Sequence, residues 1–213
     1  MARSGVALAL LLLSGIWMPG AAQARGRVLT ESAPAAPIAE ASPTLAPFQH
    51  VRFCLRYPTE CKSASADRAH IELTAETMEL LQRVNRTVNA AIAPIRKNYG
   101  SGTAWTIAPA AGDCNDYAVT KRHELVESGL PTKALRLAVV KTGSGLGHLV
   151  LIASTSKGDL VLDNLSSVIR PWQDTDYVWL KIQSASDARF WYQIAPPSTS
   201  MSSAERKLRV ASR

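Results

Sequence analysis

The stretch Gly112-Asp113-Cys114-Asn115-Asp116-Tyr117-Ala118 places a cysteine where a loop-like sequence gives way to a helical one. Asp113 has the side chain of a helix N-cap. Tyr117, Ala118, Val119, Leu125 and Val126 supply apolar residues through CNDYAVTKRHELVES, and Gly129 with Pro131 supplies the stop. Cys114 becomes the first residue of a helix. Unpaired backbone N–H groups and the helix dipole favour thiolate there, and thiolate is the nucleophilic form. A buried, inert thiol is the alternative, but Asp113, Asn115 and Asp116 are poor company for an apolar core.

Such a nucleophile needs a base to hold or deliver a proton, and a group to orient that base. The chain has four histidines. His50 falls in the lead-in, His70 precedes the first helix, and His123 lies in KRHE, read as an exposed stretch about 13 Å along the helix axis from Cys114. That distance is too great for proton transfer. His148 opens a strand after a glycine-rich turn, where a side chain can project into a cleft. Asp163 interrupts the apolar run LVLDNL, where a strand has no ordinary use for a carboxylate. If the strands pair through a hairpin at residues 157 and 158, paired positions sum to about 315, and a modest shift or bulge brings Asp163 to the imidazole. An aspartate at that place could also cap the strand's end or bond the turn at Asn164. The chemistry of Cys114, His148 and Asp163 together is acyl transfer through a thioester. Trp105 is a candidate for covering the cleft, or else plain core.

The elements that must position these residues follow from the rest of the chain. It has 213 residues, 46% of them hydrophobic, enough to bury one domain's core. Arg3, the apolar run VALALLLLSGIWM and the small-x-small pattern Ala22-Gln23-Ala24 read as a secretory signal peptide over 1–24, too short for a comfortable membrane span. No other segment is apolar enough to cross a bilayer. Residues 25–47, rich in Ala, Pro and Ser, read as a flexible lead-in, 48–197 as the domain, and 198–213 as a disordered basic tail. Without Arg3 and the tail's net three positive charges, the formal +7 falls to +3. That is an ordinary surface rather than a nucleic-acid stripe. TGSGLG lacks a Walker lysine and leads into a strand, so it is no phosphate cradle. Of the three cysteines, Cys54 and Cys61 flank a turn at Pro58-Thr59 and are expected to pair in an oxidising compartment, leaving Cys114 single.

Met78, Leu81, Val84, Val88, Ala91, Ile92 and Ile95 repeat at helical spacing behind Thr74, a fitting N-cap. Strands are expected over 134–141, 148–155, 160–165, 176–183 and 189–195. The fold class is therefore α+β, with helices first and then a mostly antiparallel sheet on which they pack.

GDCNDYAVTKRHEL, GHLVL at 147–151 and LVLDNL at 160–165, with the FCLRYPTEC segment, resemble the bacterial transglutaminase-like cysteine proteinases from about Phe48 to Ile194. The resemblance implies a papain-like fold in the transglutaminase sense, with Cys114, His148 and Asp163 as nucleophile, base and orienting acid. It also implies a periplasmic or secreted protease of a cell-surface or periplasmic protein. In one branch such a protease releases biofilm adhesins and is restrained by an inner-membrane receptor for a cyclic dinucleotide. Calcium bound by acidic residues beside the cysteine belongs to that branch, which would make Asp113 and Asp116 its ligands here. Asn115 stands where the branch has glutamate, and loss of a carboxylate weakens a site that wants six to eight oxygens. Both aspartates can instead serve as helix caps. A transglutaminase-like amide transferase would use the same three residues, and a non-catalytic binding module would keep the fold alone.

Overall fold

The computed structural model describes Met1 and residues 36–62, 68–95 and 104–195. The expected signal peptide, apart from Met1, and the basic tail lie outside the described residues. The elements in chain order are β1 (Glu40–Thr44), α1 (Phe48–Arg56), a 3₁₀ turn (Pro58–Cys61), α2 (Ala75–Ala91), β2 (Ala93–Pro94), β3 (Ala111–Gly112) and α3 (Cys114–Glu127). Then come β4 (Leu135–Lys141), β5 (Gly147–Thr155), β6 (Gly158–Leu162), β7 (Arg170–Pro171), β8 (Val178–Gln183) and β9 (Trp191–Ile194). Seven strands form one antiparallel sheet in the order β1-β9-β8-β4-β5-β6-β7, and β2 pairs with β3 in parallel. No helix among the described residues is long and apolar enough to cross a membrane.

Alternation along β5 explains why its sequence is an unbroken apolar run. Leu149, Leu151 and Ala153 join Leu81, Val84, Val88 and Tyr117 from the helices in one core. Val150 and Ile152 join Val161, Ile182, Ile38 and Trp172 in a second. A central strand covered on both faces has no polar side to show. Helix α2 starts where expected, with Thr74 and Thr77 exchanging side-chain and backbone bonds in a capping box.

Several expectations change. The segment 25–47 is not a flexible lead-in along its whole length, and the ordered domain begins before Phe48. Ile38 is core, its N–H donates to Asp159 Oδ2 at 2.7 Å, and β1 adds to the sheet edge beside β9. The composition hid this because an edge strand tolerates prolines, here Pro43. Arg136 ties the segment down, reaching both Asp159 and Glu40. His50 likewise belongs to α1, buried among Phe53, Trp105 and Trp191. Trp105 is core rather than a cleft cover. The hairpin between β5 and β6 turns at Ser156-Lys157, with Thr155 opposite Gly158, two residues off the expected register sum.

KRHE is not an exposed stretch either. Lys121 and Arg122 are buried, and Glu60 binds Arg122 Nη1 at 2.9 Å and His123 Nδ1 at 2.6 Å. That clamp fixes the segment closed by the Cys54–Cys61 disulfide against α3. The expected pairing of these two cysteines is present, and Cys114 is the free one.

Candidate active site

Cys114 is the first residue of α3, and Asp113 is its N-cap. Asp113 Oδ1 accepts from the Asn115 backbone N–H and from Asn115 Nδ2, both at 3.0 Å. Asp116 closes the capping box by accepting the Asp113 N–H at 2.9 Å, and its other oxygen accepts the Thr106 N–H at 2.9 Å. The helix start that carries the sulfur is thus held from both sides. Gly112 is required by this arrangement: a Cβ there would lie 2.6 Å from Asp116 Oδ2. Tyr117 and β3 complete the support, the phenol donating to the Ile92 carbonyl and Gly112 O accepting the Ile95 N–H.

His148 arrives from the sheet. It is the second residue of β5, opposite Val140 of β4, and its Nε2 lies 2.8 Å from Asp163 Oδ1. Asp163 stands one residue past β6. Continued by one step, the observed register sets it opposite Val150, which makes His148 its diagonal neighbour, within reach of a side-chain bond. The two uses that the sequence left open for Asp163 are realised together. Oδ1 also accepts the Leu165 N–H at 3.0 Å, closing the turn after the strand. The Cys114 side chain also acts on His148, by a side-chain interaction and by charge, both of which favour the protonated imidazole. With Nε2 taken by Asp163, Nδ1 is the ring nitrogen left for the sulfur.

Electrostatics favour a charged imidazole. Burial by itself pushes His148 down, but hydrogen bonds to Asp163 and Cys114 and their negative charge outweigh it, raising His148 from 6.5 to about 9. Burial likewise pushes Asp163 up, and its bonds to His148, Tyr177 and Leu165 bring it below the usual carboxylate range. The structure therefore brings His148 and Asp163 into contact, with Cys114 near enough to influence the imidazole. His70 and His123 stay outside, and His50 is buried against the disulfide, with Cys54 Sγ 3.5 Å from its Nε2.

Two residues at this site were not singled out from the sequence. Tyr177, read only as part of a strand, donates its hydroxyl to Asp163 Oδ2 and sets its ring edge-on to His148, centroids 5.8 Å apart. Lys121, two turns along α3 from Cys114, is buried near Asp163; burial lowers it to about 7 while the carboxylate works the other way. Its spacing of seven residues from Cys114, two helical turns, was the available signal.

The two aspartates expected as calcium ligands are engaged as caps. Asp116 is fully buried with both oxygens accepting backbone N–H groups, and the Asp113 side chain accepts the backbone N–H groups of Asn115 and Asp116. Among the described residues, His50, Cys54 and Cys61 are the one trio of His, Cys, Asp or Glu donors close enough to share a metal, and the disulfide takes both sulfurs.

Comparison with solved structures finds LapG of Legionella pneumophila in its calcium-bound form, 20% identical over 76% of this chain and 89% of that one, with a TM-score of 0.48. The EGTA-treated form of the same protein is 18% identical over 77% and 87%, with a TM-score of 0.46. A search of curated proteins gives no match. The profile of the bacterial transglutaminase-like cysteine proteinases (BTLCP) matches residues 40–199. Because that match runs through most of the chain, from β1 to beyond β9, the protein belongs to the bacterial transglutaminase-like cysteine proteinase family.

Proposed function

We propose that this protein is an exported cysteine protease that hydrolyses a peptide bond in a cell-surface or periplasmic protein, with Cys114 as nucleophile, His148 as acid and base, and Asp163 as the group orienting His148. The observation that carries this reading is His148, bonded to Asp163 at 2.8 Å and raised in pKa by both that carboxylate and the Cys114 side chain. The Cys114 thiolate attacks the peptide carbonyl carbon and the carbonyl oxygen takes the electron pair. The Cys114 backbone N–H, which has no acceptor within its own helix, is placed to stabilise that oxyanion. As the carbonyl re-forms, the C–N bond breaks and His148 gives its proton to the departing amine. Water then donates a proton to the neutral imidazole and its oxygen attacks the thioester. The acid leaves, the thiolate returns, and His148 is again protonated. Asp163 stays ionised throughout and holds one ring orientation.

Export is supported by the leader-like residues 1–24 and by the Cys54–Cys61 disulfide, which suits an oxidising compartment. The place of action is then the periplasm or the cell exterior. The substrate assigned from the family resemblance is a surface adhesin, with an inner-membrane receptor as the restraining partner. Calcium enters on the same footing, and the donor set is thin. Both carboxylates already accept backbone N–H groups, and Asp116 is fully buried, so a cation would have to share oxygens with the helix cap. No step above is routed through the ion. Its expected requirement is in the weak range of about 0.1–1 mM, read from thermal melting with calcium or EGTA.

The test uses purified wild-type protein and Cys114→Ala on outer-membrane fractions of the source bacterium. Wild type should release a surface protein with a new N-terminus found by sequencing, and the variant, folded by circular dichroism, should release none. Release by the variant, or attachment of a labelled primary amine in place of hydrolysis, would overturn the protease reading.

A further inference from the structure

We propose that Tyr177 is a positioning residue of this site, pinning the second carboxylate oxygen of Asp163 and bracing the His148 ring; this rests on the reading of Cys114, His148 and Asp163 given above. Asp163 uses Oδ1 for both His148 and Leu165, so one oxygen carries two bonds in different directions. Nothing in those two bonds stops the carboxylate from turning about its own axis and offering Oδ2 instead. The Tyr177 hydroxyl on Oδ2 removes that freedom. The sheet register places the tyrosine for this task. Val140 lies between His148 on β5 and Trp179 on β8, and Tyr177 is two residues before Trp179, hence on the same side of the chain. Its ring meets the His148 ring edge-on and is itself backed by Trp179, which packs on Trp172.

The surroundings make the pin necessary. A cavity of about 180 Å³ opens beside the pair, lined by Asp163 and Tyr177 together with Arg170, Thr175 and Asp176. Water from this cavity would compete for Oδ2 once the hydroxyl is gone. A carboxylate solvated from behind holds the imidazole less firmly. The charged groups facing the cluster are Asp163 and Cys114 toward His148, Lys121 toward Asp163, and Asp176 and Arg170 toward Tyr177. Tyr177 itself is pushed well above the usual phenol range, by burial first and then by the bond to Asp163, so it remains a donor across the working range.

Tyr177→Phe deletes one oxygen from a half-buried side chain and keeps the ring, so the fold should stand. Three readouts are taken. Turnover should fall by about tenfold to a hundredfold with KM little changed, the range for losing a hydrogen bond to a charged group. The titration midpoint of the His148 ring protons, followed by NMR, should drop by about one pH unit as the hold of Asp163 loosens. Tyr177→His, which keeps a ring and a donor, should recover part of both. Unchanged turnover and midpoint in Tyr177→Phe overturn the proposal, as does a loss of activity that tracks a lowered melting temperature with the midpoint unmoved. The NMR readout needs no substrate, so it decides the role of Tyr177 even if Cys114→Ala shows the protease reading to be wrong.

Discussion

Replacing Asp163 by asparagine keeps the volume and removes the charge that holds the proton on His148. The folded His148 titrates near 9 against an ordinary 6.5, a difference equivalent to about 3 kcal/mol of coupling if all of it were lost. A histidine raised on folding adds stability that is fully present below pH 6.5 and disappears as the pH passes 9. Asp163 supplies much of that stability, and Lys121 adds in the same direction. Burial depresses Lys121, Asp163 offsets part of the cost, and the cost is felt at pH 6 rather than at pH 9.5. The ionisation of Asp163 itself is complete throughout this window and cancels. Urea unfolding of wild type and Asp163→Asn at pH 6.0 and pH 9.5 should therefore show a larger loss at the lower pH, by on the order of 3 kcal/mol. The asparagine can keep its oxygen toward His148 and Leu165 only if the Tyr177 hydroxyl turns from donor to acceptor of the amide. That geometric cost appears equally at both pH values. A loss that is the same at pH 6.0 and pH 9.5 would refute the charge-coupling account of the site.

The helix start offers a second test: Gly112→Ala drives a Cβ to 2.6 Å from Asp116 Oδ2, and displacing that carboxylate should cost about 1–3 kcal/mol in urea unfolding, while a neutral result would mean the cap is slack. His50 gives a third, of opposite sign to His148. Burial, aided by the Arg122 charge, lowers His50 to about 4, so it stabilises the fold above pH 6.5 and that stability is lost as the pH falls to 4, by about 3 kcal/mol. Urea midpoints measured across pH 7 to 4 should show this slope, and His50→Gln should flatten it.

What could be read from the chain follows the range of the physics. Asp113, Cys114 and the helix behind them are local, because a cap and its helix lie within a few residues. His148 and Asp163 were legible as oddities, a polar residue at a strand start and another inside an apolar run. Their meeting depended on a hairpin register that the residues alone set two positions off. Tyr177 needed a register across β5, β4 and β8 that no short stretch encodes. Lys121 and Arg122 looked solvent-facing because a charged pair is ordinarily so, and only the fold shows Glu60 and Asp163 waiting for them. The segment around Ile38 was masked by its Ala and Pro content, though the apolar face of the sheet behind Trp172 needs it.

The central claim is that the Cys114 sulfur becomes acylated. Rapid acid quench of the protein mixed with an activated ester, followed by peptide mass spectrometry, should find one acyl group on the peptide carrying Cys114, and far less of it in His148→Ala. An acyl group on any other residue, or none while turnover continues, would contradict the account.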